Sequence, residues 1–196
     1  MKPGIIITAA GRAERFQKAG GTGNKLNACL SGCTVFAQTL RHAQLSGLAI
    51  HVVTRPENGE IQAVCRAQRV PVTLIDSNGL GESIAAGVCA TPDWHGWLIH
   101  LADMPFVPPA VFLQVADALD SHKLARPRAN AQPGHPVGFA RCWYPKLCLL
   151  TGDGGARELL HEDMMHFVDI DDAGSQRDID LPSHLAQRSE HNHATS

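Results

Sequence analysis

Short runs of consecutive apolar residues recur along the first half of the chain, at residues 4–8, 49–54, 72–75 and 97–101. Runs of this length that lack polar alternation are typical of parallel strands buried on both faces. The stretches between and after them repeat apolar residues at helical spacing, over residues 35–45, 59–69, 82–90 and 111–119. This alternation predicts βαβ units, and therefore an α/β fold with a three-layer, mostly parallel, doubly wound sheet.

The pattern becomes less regular after about residue 124. Turn-forming residues predominate at 129–134, and the glycine-rich segment 151–155 predicts a loop that opens a helix. Short apolar runs at 137–139 and 165–170 predict two further strands. The second half of the chain is therefore expected to extend the same sheet with shorter elements.

Composition and charge narrow the class of protein. The chain has 196 residues, a formal net charge of −2 and 18% charged residues. This length suits one core, so we expect a single domain over residues 1–186, followed by a flexible polar tail at 187–196. A near-neutral chain without a long basic stretch lacks the charge footprint of a nucleic-acid binder. No apolar run approaches the ~20 residues that cross a bilayer, so we expect no membrane partner and a cytoplasmic location.

The six cysteines do not form a recognisable metal or disulfide framework. They stand at positions 29, 33, 65, 89, 142 and 148, and none belongs to a CxxC pair. Cys29 and Cys33 have a spacing that suits metal ligands, but no second Cys/His pair at matching spacing lies near them. We therefore expect reduced, buried thiols.

Three loops that follow predicted strands carry candidate chemistry, because ligands of parallel sheets bind beyond the carboxyl ends of the strands. The first loop, residues 8–25, combines small residues with Arg12, Arg15, Lys18 and Lys25. Close backbone approach and cationic side chains could cradle a polyphosphate, although the segment matches neither a Walker A loop nor GxGxxG. A flexible basic loop is the alternative interpretation.

The other two loops suit a metal ion and a nucleotide. Asp103 follows an apolar run directly, and a carboxylate in that position suits Mg²⁺, which takes one or two protein carboxylates and completes its shell with phosphate oxygens and water. A turn or helix-capping role is the alternative for Asp103. The glycine turn, residues 77–83, leads into a predicted helix and could present free N–H groups to a ribose, base or phosphate.

Seven motifs occur in a fixed order along the chain: AAGxxxRF with KL (9–26), LxGxxV (30–35), GLGxS (79–83), ADMP (102–105), GHP (134–136), TGDxGAR (151–157) and DIDLP (178–182). Together they resemble the nucleotidyltransferases with a MobA-like fold, over residues 5–185. The combination of TAAG, GHP and GDxGAR is most similar to the MocA group, the molybdenum cofactor cytidylyltransferases.

This resemblance implies a Rossmann-like nucleotidyltransferase fold in which an acceptor phosphate attacks the α-phosphorus of a nucleoside triphosphate and displaces pyrophosphate. Arg15 and Lys25 would contact the phosphates and, with Asp103, make up the catalytic set. The implied nucleotide-binding residues also include Ala9, Ala10, Gly11, Asn78, Gly79, Gly81 and Ser83.

The resemblance also implies a metal site in which Asp103 and Asp180 hold Mg²⁺, with Asp178 a rival of Asp180. The segment between Arg15 and Lys25 is longer than is usual in the family, so Lys18 is a rival of Lys25. We favour Lys25 because the KL pair is followed by the expected LxG.

The later half of these enzymes faces the pterin substrate, which implies substrate-binding roles for His135, Asp153 and Arg157. A structural histidine in a turn is the alternative for His135. Loops of the AAG type are associated with CTP. The leading hypothesis is therefore transfer of CMP to molybdopterin cofactor, with a client molybdoenzyme of the xanthine dehydrogenase type as a further partner. The alternatives are GTP with the same cofactor, another phosphorylated acceptor such as a phosphosugar or phospholactate, and a non-catalytic cofactor carrier.

Overall fold

The computed structural model describes residues 2–185, so the tail predicted at 187–196 lies outside the described residues. Ten strands form in this part of the chain: β1 (Gly4–Ala9), β2 (Cys29–Leu30), β3 (Cys33–Thr34), β4 (Ile50–Thr54), β5 (Val72–Leu74), β6 (Gly96–Leu101), β7 (Leu124–Ala129), β8 (Gln132–Pro133), β9 (Val137–Ala140) and β10 (Met165–Asp169). Eight of them make one sheet in the order β10-β7-β9-β6-β1-β4-β5, with β8 paired to β7, while β2 and β3 form a separate hairpin.

The main sheet is mostly parallel. β1 lies parallel to both β4 and β6, β4 is parallel to β5, and β7 is parallel to β10. β9 is inserted antiparallel between β6 and β7. The predicted α/β class with a mostly parallel sheet is confirmed, and its parallel order brings the carboxyl ends of β1, β4, β5 and β6 to the same edge.

Helices cover both faces of the sheet: α1 (Glu14–Lys18), α2 (Val35–Leu45), α3 (Gly59–Ala67), α4 (Leu80–Cys89), α5 (Pro109–Ala118) and α6 (Tyr144–Leu147). Successive strand residues point to opposite faces, so Ile5 and Ile7 join the core formed with α2, α3 and α5, while Ile6 joins the core under α4 and α6. None of these helices is both long and apolar enough to cross a bilayer, a statement that covers residues 2–185.

Local sequence signals place two of these helices. The Thr34 hydroxyl accepts a hydrogen bond from the Ala37 N–H at 3.1 Å and so caps the amino end of α2. In α4, a side chain at position 87 would overlap Ile6 and Val53 of the sheet. Gly87 therefore lets α4 pack closely on β1 and β4.

The sequence pattern did not predict β7, because its charged residues and proline argue against a strand inside a sheet. The structure satisfies these groups through neighbouring strands and turns. Arg128 donates two hydrogen bonds to the Asp169 carboxylate at 2.8 and 3.1 Å, and Arg126 donates two to the Gly134 carbonyl at 3.1 and 2.9 Å. Pro127 stands opposite Val168 of β10.

Two other expectations are wrong. The loop at 151–155 leads only into a single 3₁₀ turn, Arg157–Leu159, rather than into an α-helix. We expected buried thiols, but of the six cysteines only Cys65 is buried, and Cys29, Cys89 and Cys142 are exposed. Burial raises the pKa of the Cys65 thiol to about 11.

A buried histidine makes the stability of this fold sensitive to acid. His100 of β6 is fully buried and packs edge-on against Phe112, with ring centroids 4.9 Å apart. Burial, and secondarily the nearby His135, lowers the pKa of His100 to about 3. Between about pH 6.5 and pH 3 the unfolded chain therefore binds more protons than the folded protein does, so the free energy of unfolding falls as the pH falls through this window.

We predict that His100→Leu flattens this pH dependence. At pH 5 the proton taken up by the unfolded chain costs about 2 kcal/mol, and leucine removes that cost while it keeps an apolar contact with Phe112. Urea unfolding of both proteins at pH 7.5 and pH 5 measures the difference. If His100→Leu lost as much stability between pH 7.5 and pH 5 as the natural protein does, that result would contradict a neutral, buried His100.

Candidate active site

A cleft with a volume of about 650 Å³ opens at the carboxyl ends of the central strands. This volume lies within the range of ligand pockets, and the site is where parallel sheets usually bind ligands. Most of the residues selected from the sequence line it: Ala9, Ala10, Gly11, Arg15, Lys25, Asn78, Gly79, Ser83, Asp103, Asp153 and Asp180. The fold thus brings the first loop, the glycine turn and both predicted metal-binding carboxylates to one cleft.

Three of the selected residues do not line the cleft. The Gly81 N–H donates to the Gly152 carbonyl at 2.8 Å, and a side chain at position 81 would overlap the backbone of Thr151. Gly81 therefore fits α4 against the 151–155 segment. His135 is partly buried, and this desolvation lowers its pKa to about 4, whereas Arg157 is exposed at the surface. The substrate-binding roles of His135 and Arg157 stay predictions.

Lys25 is the centre of an ion-pair network on the floor of the cleft. Its ammonium donates to Asp103 Oδ2 and to Asp180 Oδ1, each at 2.6 Å. Arg15 reaches the other oxygen of Asp180 at 3.1 Å from the rim, where its side chain is largely exposed. Lys18 instead pairs with Glu14 at 3.8 Å on the surface. The geometry favours Lys25 over Lys18 as the cation that faces a bound phosphate.

The charged groups in this network shift one another's pKa values. Burial alone would lower the pKa of Lys25, but Asp103 and Asp180 outweigh it and hold the pKa above its usual value. Burial raises the pKa of Asp103, and Lys25 offsets only part of that effect. For Asp180, burial raises the pKa, but its bonds with Lys25 and Arg15 outweigh burial and lower the pKa. Lys25 therefore remains charged at neutral pH.

Asp103, Asp178 and Asp180 form the acidic cluster, with one oxygen from each carboxylate within 4.8 Å of the others. The Ile179 N–H donates to the Asp103 backbone carbonyl at 2.8 Å, and its side chain is buried in the core. This anchor sets Asp178 and Asp180 on either side of Ile179, next to Asp103.

The donor set of the acidic cluster fits a hard divalent cation. Oδ1 of Asp103 is buried and has no hydrogen-bond partner among residues 2–185. Mg²⁺ prefers a small number of such carboxylate oxygens and obtains its other ligands from phosphates and water. Asp180 lines the cleft and Asp178 does not, so we favour Asp180 as the second ligand.

Two asparagines position Lys25. The Asn24 side chain accepts from the Leu26 N–H at 3.0 Å and so caps the 3₁₀ turn Lys25–Asn27. The Asn24 amide also donates to Asn58 Oδ1 at 3.1 Å, which ties this turn to the start of α3. The sequence analysis missed both asparagines, because their role depends on a contact between segments 34 residues apart.

Arg55 is the largest omission of the sequence analysis. It follows β4 directly, and its side chain is only 7% exposed although it lines the cleft. Its position after an apolar run is the same signal that selected Asp103, and could have selected it. The hydroxyl of Ser83 lies within hydrogen-bond distance of Ser77 Oγ, at 3.0 Å, and of the Gly79 carbonyl, at 3.2 Å, and so closes the glycine turn beside Arg55.

Comparisons with known proteins bear on the family and the fold of the chain. A family model for the MobA-like NTP transferase domain matches residues 5–167. A comparison with curated protein sequences found no match. Among solved structures, Rv0371c from Mycobacterium tuberculosis aligns with a TM-score of 0.82 at 21% identity, over 95% of this chain and 97% of its own. A second structure of that protein, a complex with manganese, aligns with a TM-score of 0.75 at 21% identity, over 88% and 90%.

Two further structures share the fold. A nucleotidyl transferase from Methanothermobacter thermautotrophicus aligns with a TM-score of 0.80 at 24% identity, over 93% of this chain and 94% of its own. CMP:2-keto-3-deoxy-manno-octonic acid synthetase, complexed with CTP, aligns with a TM-score of 0.70 at 12% identity, over 95% and 96%. At these identities the structural likeness establishes the fold.

Proposed function

The chain belongs to the MobA-like NTP transferase family, and from this premise we propose that it transfers CMP from CTP to molybdopterin cofactor and releases pyrophosphate. Family membership supports nucleotidyl transfer as the reaction class. The observation that carries the proposal is the position of Lys25, which lines the cleft at the end of the first loop and is held there between the carboxylates of Asp103 and Asp180. A cation beside a potential metal site is the arrangement that a triphosphate requires.

The choice of CTP rests on the first loop. Ala9 and Ala10 line the cleft, and a loop with alanines at these positions suits a cytosine, which leaves more space than a guanine. A structurally similar protein, CMP:2-keto-3-deoxy-manno-octonic acid synthetase, is solved with CTP in a fold of this kind. These two observations support a pyrimidine nucleotide in this chain.

In the proposed mechanism the side chains mainly position and neutralise charge. Lys25 and Arg15 contact the triphosphate and stabilise the negative charge that grows on the leaving pyrophosphate. Asp103 and Asp180 would hold Mg²⁺, which neutralises phosphate charge when it is bound. The backbone of Ala10 and Gly11 approaches the nucleotide where no larger side chain intervenes.

The acceptor would enter from the side of the 151–155 segment, since Asp153 lines that wall of the cleft. Gly152 N–H donates to Glu82 Oε1 at 3.1 Å, so this segment is fixed to the first turn of α4. We propose that the product passes to a client molybdoenzyme of the xanthine dehydrogenase type, and that both steps take place in the cytoplasm.

The proposal predicts a base preference in a direct assay. Purified protein is supplied with Mg²⁺, molybdopterin cofactor and each of the four ribonucleoside triphosphates in turn, and pyrophosphate is measured. We expect release to be at least about ten-fold faster with CTP than with GTP, which corresponds to about 1.4 kcal/mol of discrimination. Equal rates with GTP would reject the base assignment, and cofactor binding without pyrophosphate release would favour a carrier.

A further inference from the structure

The guanidinium of Arg55 connects two walls of the cleft that are far apart in the sequence. Its Nε donates to the Ala10 carbonyl of the first loop at 2.7 Å. One terminal nitrogen donates to the Ser77 carbonyl, where the glycine turn begins, and the other donates to Asp76 Oδ1 at 2.5 Å. A single buried side chain therefore holds the backbone carbonyls of both loops.

The position of Arg55 is itself fixed. It directly follows β4, which lies between β1 and β5, so its side chain can reach the segments that leave both neighbouring strands. Gln62 of α3 donates to the backbone carbonyls of Arg55 and Pro56 at 3.2 and 2.9 Å. A planar fork with five donors can satisfy several acceptors at once, whereas a lysine ammonium is a compact point charge.

The same two loops would border the base and ribose in the proposed function. Ala9 and Ala10 form one wall, and Asn78 and Gly79 form part of another. The separation of these walls determines how large a base fits between them. Since Arg55 bonds to the backbone of each loop, its length and shape determine that separation.

We propose that Arg55 is a positioning residue that sets the width of the base slot and thereby the discrimination between pyrimidine and purine triphosphates. The inference rests on the proposed function for the location of the base. It extends that function by assigning selectivity to a residue that holds the loops from behind, in addition to the alanines of the first loop.

The test measures binding rather than turnover, so that it does not depend on the acceptor. Isothermal titration calorimetry with Mg²⁺ gives Kd for CTP and for GTP in the natural protein, in Arg55→Lys and in Asp76→Asn. We expect Arg55→Lys to weaken binding of the preferred triphosphate about ten-fold, and so to bring the ratio of the two Kd values closer to one, because it loses at least one carbonyl bond. Asp76→Asn should change the ratio in the same direction by a smaller factor.

Arg141 provides a matched control. Its guanidinium also bonds backbone carbonyls, those of Pro92 and Trp94, but these precede β6 at the edge of the sheet away from the cleft. Arg141→Lys should lower Tm and leave the ratio of Kd values unchanged. A residue with a purely structural role would behave in the same way, so an unchanged ratio in folded Arg55→Lys overturns the proposal.

The remaining outcomes are also decisive. If Arg55→Lys fails to fold, the ratio of Kd values in Asp76→Asn tests the proposal instead. The side chain of Asp76 is 78% exposed, so its replacement leaves the core intact. An unchanged ratio in that variant overturns the proposal. Equal binding of CTP and GTP by the natural protein also overturns it. Selective binding of CTP without pyrophosphate release rejects the proposed acceptor. The ratio of Kd values for CTP and GTP still tests the role of Arg55 in that case.

Discussion

Asp103→Asn is expected to lower the rate of pyrophosphate release by at least about 100-fold while the protein remains folded. The carboxylate contacts Lys25 at 2.6 Å and contributes a buried oxygen to the acidic cluster. Asparagine preserves its shape but removes the charge that would hold a divalent cation. Lys25 keeps Asp180 as its partner, so no buried charge is left unpaired by the substitution.

Two measurements accompany the rate. Mn²⁺ titration should show weaker metal binding by Asp103→Asn, and thermal unfolding should place Tm within a few degrees of the natural protein. Asp169→Asn is the matched control, because Asp169 of the edge strand β10 pairs with Arg128 of β7, away from the cleft. A large fall in Tm for Asp103→Asn would indicate the turn or capping role, and normal turnover would exclude Asp103 from the site.

Lys25→Met is expected to change turnover and metal binding in opposite directions. Its ammonium contacts the two carboxylates that would hold a cation, so ammonium and metal compete for the same oxygens. Its removal should strengthen Mn²⁺ binding in the absence of nucleotide by about ten-fold, since the site gains one unit of negative charge. Removal of a phosphate contact should lower kcat/KM by about 100-fold.

The stability of Lys25→Met provides a second readout. Without the ammonium, Asp103 and Asp180 repel each other, so Tm falls, and Mn²⁺ should restore more of it than it adds to the natural protein. Lys18→Met is the control from the same loop, where the ammonium pairs with the exposed Glu14 at 3.8 Å. Equal Mn²⁺ affinity in Lys25→Met and the natural protein would contradict the competition. A comparable loss of turnover in Lys18→Met would assign the phosphate contact to Lys18.

Much of the fold was predictable because burial leaves a direct record in the sequence. β1, β4 and β6 are almost entirely buried, whereas β5 is an edge strand whose Leu74 is exposed. The structure begins and ends each of the four within about two residues of the predicted run. The charged residues of β7 left no such record in the sequence. Arg126 bonds to Gly134 across the following turn, and Arg128 gains Asp169 as a partner only when a segment 41 residues away has assembled.

The candidate site divides in the same way. The motifs selected Lys25, Asp103 and Asp180 because each stands in a recognisable local context. The position of Arg55 after an apolar run could have selected it as a candidate, but its burial was not predictable, because a buried arginine is stable only where carbonyl and carboxylate acceptors surround it. Its acceptors come from residues 45 and 22 positions away, so no local pattern contains them.

By itself, the sequence determined the alternation of buried strands and helices and the local chemistry of each loop, because apolar periodicity and motif spacing act over a few residues. Only the tertiary structure decided which loops meet. Lys25 is 78 residues from Asp103 and 155 from Asp180, and the three converge because parallel strand ends share one edge and Ile179 anchors the last segment beside Asp103. Strand order and side-chain contacts of this kind depend on the packing of the whole sheet, and that information is distributed over the entire chain.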